Sequence, residues 1–134
     1  MIDFKNKSLR MQAFVFYTYA NCCINCNFEA MNPRIEKLLN YLKETPQDAF
    51  LNHALGLEYI KENQLESALA CFEINHSLNP NYIGTYYHFA KLLETLQKTD
   101  QAIAVYEQGM EQAKLQNDQH SLNELRAAYE DLTF

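Results

Sequence analysis

The sequence predicts an all-α protein built from antiparallel helix pairs stacked side by side. Two observations carry that prediction. Glycine and proline occur only three times each in 134 residues, too little turn punctuation for an all-β or βα fold. The chain also repeats itself: sliding it by 34 residues lays Pro46 on Pro80, Leu55 on Phe89, Gly56 on Ala90, Tyr59 on Leu93, Ala68 on Ala102 and Phe72 on Tyr106. Large apolar residues meet large apolar residues, and small meet small. A fixed period of this size marks stacked supersecondary units, each burying its neighbour's apolar face.

The first element is PRIEKLLNYLKETP, with Ile35, Leu38, Leu39 and Leu42 at helical spacing on one face. Asn32 is a ready cap and Pro33 suits a first turn. It reads as the second half of a repeat, over residues 33–46. The first full repeat covers 49–82. Its first helix runs to about Ile60, Glu62–Gln64 form the turn, and a second helix folds back. Asn79-Pro80 ends that helix, as Thr45-Pro46 ends the one before, because the residue preceding proline leaves the α region. The second repeat covers 83–116, with its first helix to about Leu96 and its turn at Gln97–Asp100. Lys114 stands where a closing proline would, so its last helix runs on to about Leu115. Residues 120–132 form a capping helix: Leu122, Leu125, Ala128, Tyr129 and Leu132 make an inner stripe, and Asn123, Glu124, Glu130 and Asp131 a polar outer face. Gly56, Ala68, Ala90 and Ala102 are small because helices approach closely there.

Residues 1–30 do not follow this scheme. They carry a net charge of +1, and they hold Cys22, Cys23 and Cys26 of the four cysteines. Continuing the 34-residue step backward puts Asn21 and Asn25 where Leu55 and Tyr59 stand. A lipoprotein-like leader ending at Cys22, a thiolate metal site and a loosely ordered extension are the alternative readings of this stretch. The expectation favoured by composition is a start at Met31, which opens directly into a capped helix.

The pattern L-G-x2-Y … A-x3-F … P resembles the tetratricopeptide repeat. Leu55, Gly56, Tyr59, Ala68, Phe72 and Pro80 supply it in the first copy, and Phe89, Ala90, Leu93, Ala102, Tyr106 and Gly109 in the second. Tyr86 stands where the family often has tryptophan; Asn52, at the same place in the first copy, departs from it. The resemblance implies a right-handed α-solenoid whose first helices line a concave face. In this phase that face presents Phe50, His53, Leu57 and Lys61 from the first repeat, and Tyr87, His88, Lys91 and Glu94 from the second. Such a groove fits an extended peptide or an amphipathic helix of another protein. Some family members clamp a C-terminal carboxylate with lysine, asparagine and arginine on this face. His53, Leu57 and His88 stand there instead, so that function is not implied.

The expected function is therefore a non-catalytic interaction adaptor in the cytoplasm of a bacterial cell, with a protein or peptide partner. The rival is self-association, in which a second copy buries the groove or an open end of the stack. Residues 31–134 carry a net charge of −7, which disfavours nucleic-acid and anionic-membrane partners. No stretch is long and apolar enough for a membrane helix. No nucleophile, phosphate-loop or zinc-protease motif occurs, and neither a cofactor nor a metal is expected. His53 and His88 come near each other on adjacent first helices, but no acid or cysteine joins them at ligand spacing. Cys71, in the apolar run ALACFEI, reads as a small core residue.

Overall fold

A computed structural model describes residues 32–134. The readings offered for residues 1–30 therefore lie outside the described residues. Six helices follow in order: α1 Pro33–Glu44, α2 Ala49–Lys61, α3 Leu65–Leu78, α4 Gly84–Thr95, α5 Thr99–Leu115 and α6 Gln119–Thr133. Each packs on the next, and α4 also touches α2 and α6. The first helices α2, α4 and α6 thus form one layer, with α3 and α5 behind them. One element begins earlier than its sequence suggests: Thr99 and Asp100 open α5, and the turn is Leu96–Lys98.

The helix starts are local chemistry. The Asn32 side chain accepts from the Arg34 amide at 2.9 Å, with Pro33 in the first turn. Asp48 accepts from the Leu51 amide at 2.9 Å, and Asp118 from the Ser121 amide at 3.1 Å. Each side-chain oxygen satisfies an amide that the helix leaves unpaired. The stops of α2, α4 and α5 share one device. Asn63, Gln97 and Asn117 take left-handed backbone angles, φ 56°, 62° and 57°. The next amide then reaches back: Gln64 to the Tyr59 carbonyl, Lys98 to Leu93 and Asp118 to Ala113, at 2.8–2.9 Å. Glycine is absent from all three places, although it fits this conformation best.

The core runs the length of the stack. Leu55, Ala68, Phe72, Ala90, Ala102 and Tyr106 are fully buried. The small residues are small for a measurable reason. A Cβ on Gly56 would stand 2.8 Å from two ring carbons of Phe72, and one on Gly109 would stand 2.7 Å from the Cβ of Tyr86.

The departure at Asn52 also has a physical account. In the second copy the Tyr86 hydroxyl donates to the carbonyl of Pro80. One step earlier, Asn52 Nδ2 donates to the carbonyl of Pro46 at 3.0 Å and to that of Asp48 at 2.8 Å. An amide and a phenol close the same turn from the same register. Asn75, also fully buried, does the converse job between units. Its Nδ2 donates to the Ala49 carbonyl at 3.0 Å and the Thr85 hydroxyl at 2.8 Å, while its Oδ1 accepts from Asn79 at 2.9 Å. One amide thereby ties α3 to the starts of α2 and α4.

Candidate functional site

The residues expected on the concave face sit on α2 and α4, the first helices of the two repeats. Phe50 and Tyr87 lie in their N-terminal turns and stay exposed, at 65% and 36%. Leu57 is half-buried against the core. Lys61 closes α2, and its Nζ holds Glu58 at 2.8 Å. Glu58 is itself buried and takes a second cation, Arg34 of α1, at 3.2 Å. On α4, Lys91 and Glu94 pair at 3.3 Å, and the Tyr106 hydroxyl donates to Glu94. Burial first, then that carboxylate, raises the Tyr106 phenol above its ordinary range.

Between the two helices the structure brings His53 and His88 together, with ring centroids 5.3 Å apart. His53 also meets the rings of Phe72 at 5.8 Å and Tyr82 at 5.6 Å. Tyr87 stands edge-on to His88 at 5.5 Å. His53 Nδ1 is buried with no hydrogen-bond partner. Burial, then the neighbouring His88, pushes the His53 imidazole down to about 4. Burial also lowers His88, against the opposing charge of Glu124 on α6. Both rings are therefore neutral at pH 7, and the strip between α2 and α4 is aromatic and uncharged. Phe50 and Lys61 do not join this cluster; they occupy opposite ends of α2, about 16 Å apart along its axis.

Sequence reasoning did not single out Glu58, Asn75 or Thr85, the buried polar residues that fix how the units stack. Nor did it bring α6 to the site, although Glu124 of the expected outer face reaches His88 electrostatically. The usable signal at Glu58 was its place inside the apolar run of α2. Among the described residues no group of three or more histidine, cysteine or acidic side chains is placed to hold a metal ion. No described helix is long and apolar enough to cross a membrane.

The stacked pairs, their 34-residue step and the solvent-facing first helices define a helical-repeat interaction fold. Residues 33–109, more than half of the chain, match the family model described as anaphase-promoting complex, cyclosome, subunit 3. The chain belongs to that family of tetratricopeptide-repeat proteins. A tetratricopeptide repeat domain protein from Salinibacter ruber is 42% identical, with a TM-score of 0.63 over 66% of this chain and 89% of that one. PcrH, solved in complex with the chaperone binding region of PopD, is 16% identical, with a TM-score of 0.70 over 99% of this chain and 96% of its own. The TPR2B domain of yeast Sti1, solved in a pHsp70 complex, is 16% identical, with a TM-score of 0.69 over 74% of this chain and 79% of that one. The last two likenesses show the fold. No curated protein matches the chain.

Proposed function

We propose that this chain is a non-catalytic adaptor that captures a peptide or helix of another protein on the face shared by α2 and α4. The observation that carries the reading is the exposure of Phe50 and Tyr87 on successive first helices. The large apolar residues that recur at the 34-residue step, Leu55 with Phe89 and Phe72 with Tyr106, are buried. Phe50 and Tyr87 face water, and Tyr87 stands edge-on to His88. Aromatic side chains supply contact area at low entropic cost and anchor interfaces. His53, Leu57, His88, Lys91 and Glu94 form the floor and Lys61 the far rim. Solved relatives of the same fold carry peptides of other proteins, which supports a groove role here. Neither a catalytic group nor a cofactor enters this account, and its setting is the cytoplasm.

The test is capture from the source cell extract at neutral pH by the wild-type chain and by Phe50→Ser/Tyr87→Ser. Loss of both anchors is expected to weaken capture at least about 30-fold, each buried aromatic being worth about 1–2 kcal/mol. Unchanged capture by the double variant rejects the groove.

A second reading has its own observation. Among the described elements α1 packs only on α2. Its Tyr41 is 50% exposed beside the half-buried Leu38 and Leu39. A second copy could cover that open end. Sedimentation of the full chain separates the readings: a dimer broken by Tyr41→Lys supports self-association, and a monomer rejects it.

A further inference from the structure

We propose that the His53–His88 contact is a protonation-sensitive joint between the two repeats, so that acidification parts α2 from α4 and loosens the groove they form. This rests on the groove reading above and adds its regulation. Two imidazoles from different helices stand 5.3 Å apart, and each is walled by rings rather than by carboxylates. His53 faces Phe72 of α3 and Tyr82 of the α3–α4 turn. His88 faces Tyr87 of its own helix, and Glu124 of α6 is the acid whose charge reaches it. Lys91, three residues further along α4, is engaged by Glu94. No hydrogen bond to either imidazole is formed by an acid, and the buried Nδ1 of His53 has no acceptor to receive a proton's charge.

Both rings are half-buried, and a proton's charge on His53 finds no acceptor at its buried Nδ1. Protonating both sets like charges one ring-width apart. Parting the helices admits water to both, so the opened state takes up protons that the closed state refuses. The direction follows. Above the ordinary histidine value of 6.5 both states are neutral and the joint is indifferent to pH. Between 6.5 and about 4, where His53 titrates in the closed state, the opened state gains protons and closure weakens as pH falls. Below that the closed state is protonated too and the effect saturates. By linkage, opening rises up to about tenfold per pH unit for each proton taken up.

The test uses the full chain and needs no partner. Proton–carbon NMR follows the four imidazoles between pH 7.5 and 4.5, and amide exchange in α2 and α4 is corrected for its intrinsic pH dependence. The expected result is that the His53 ring titrates far below 6.5 and rises when His88 is changed to Gln. Corrected exchange at the α2–α4 joint should quicken about sevenfold from pH 6 to 5 for the proton on His53, and more if His88 takes up a second. In His53→Gln/His88→Gln that acceleration should disappear. Ordinary titration of His53, or equal acceleration in the double Gln variant, overturns the joint. The groove reading fails separately, by unchanged capture at neutral pH when Phe50 and Tyr87 are replaced.

Discussion

Adding a single methyl group at Gly56 is the sharpest probe of the packing. Gly56 lies inside α2 with an ordinary helical backbone, so glycine is not needed there for its dihedral freedom. On propensity alone, Gly56→Ala should stabilise the helix by about 1 kcal/mol. The structure predicts the opposite sign. The new Cβ would sit 2.8 Å from two carbons of the Phe72 ring and 3.2 Å from a third. Carbon contacts are comfortable at about 3.5–4.0 Å, so the ring or the helix must move by about 0.7 Å. Phe72 is fully buried, so its ring cannot swing out into solvent. Overpacking of this kind costs about 1–3 kcal/mol, so the net effect is a loss of up to about 2 kcal/mol. Urea unfolding of the full chain measures it. Truncating the obstacle provides the control. In Gly56→Ala/Phe72→Leu the two changes should be non-additive by at least about 1 kcal/mol, because the second removes the clash made by the first. A Gly56→Ala variant more stable than wild type would refute the close approach of α2 and α3.

Other perturbations test other parts of the stack. Asn75→Ala removes three hydrogen bonds, to the Ala49 carbonyl, the Thr85 hydroxyl and the Asn79 amide, the last of which keeps the Gln47 carbonyl, and should cost about 3 kcal/mol in urea unfolding. Tyr86→Phe removes only the hydroxyl that meets the Pro80 carbonyl, and thermal unfolding should report a loss of about 1 kcal/mol. Gln97→Gly should raise stability by about 0.5–1 kcal/mol, because Gln97 holds φ 62° at the end of α4 and the relief of that strain exceeds the added unfolded-state entropy. Asn63→Gly, at the matching turn, should gain less, since asparagine tolerates this conformation better.

The order of the elements was legible because one physical rule wrote it twice. Helix pairs that stack must place a small residue where backbones approach and a large one in the gap between. Gly56 and Phe72 therefore reappear as Ala90 and Tyr106 one step later. The run-on of α5 to Leu115 was also readable, from a lysine at Lys114 in place of proline. What the pattern hides are polar residues doing apolar work. Asn52 looked like a defect in the motif and proves to close its turn as Tyr86 does. Asn75 carries no periodic signal, since its task is to satisfy carbonyl and hydroxyl groups brought near only by stacking. The nearness of His53 and His88 could be anticipated from the step. The reach of Glu124 to His88 depends on how the third first-type helix lies against α4. That placement is set by the packing of α6 on α4 and α5, which a comparison of the two copies does not supply.

Site-directed photo-crosslinking in the source cell tests the central claim most directly. A benzophenone side chain is placed in turn at Phe50 and Tyr87 on the groove face, and at the exposed Glu73 and Glu107 on the rear helices α3 and α5. The account predicts one and the same foreign protein trapped from positions 50 and 87, and none from 73 and 107. Cross-links confined to the rear helices, or only to a second copy of this chain, would contradict it.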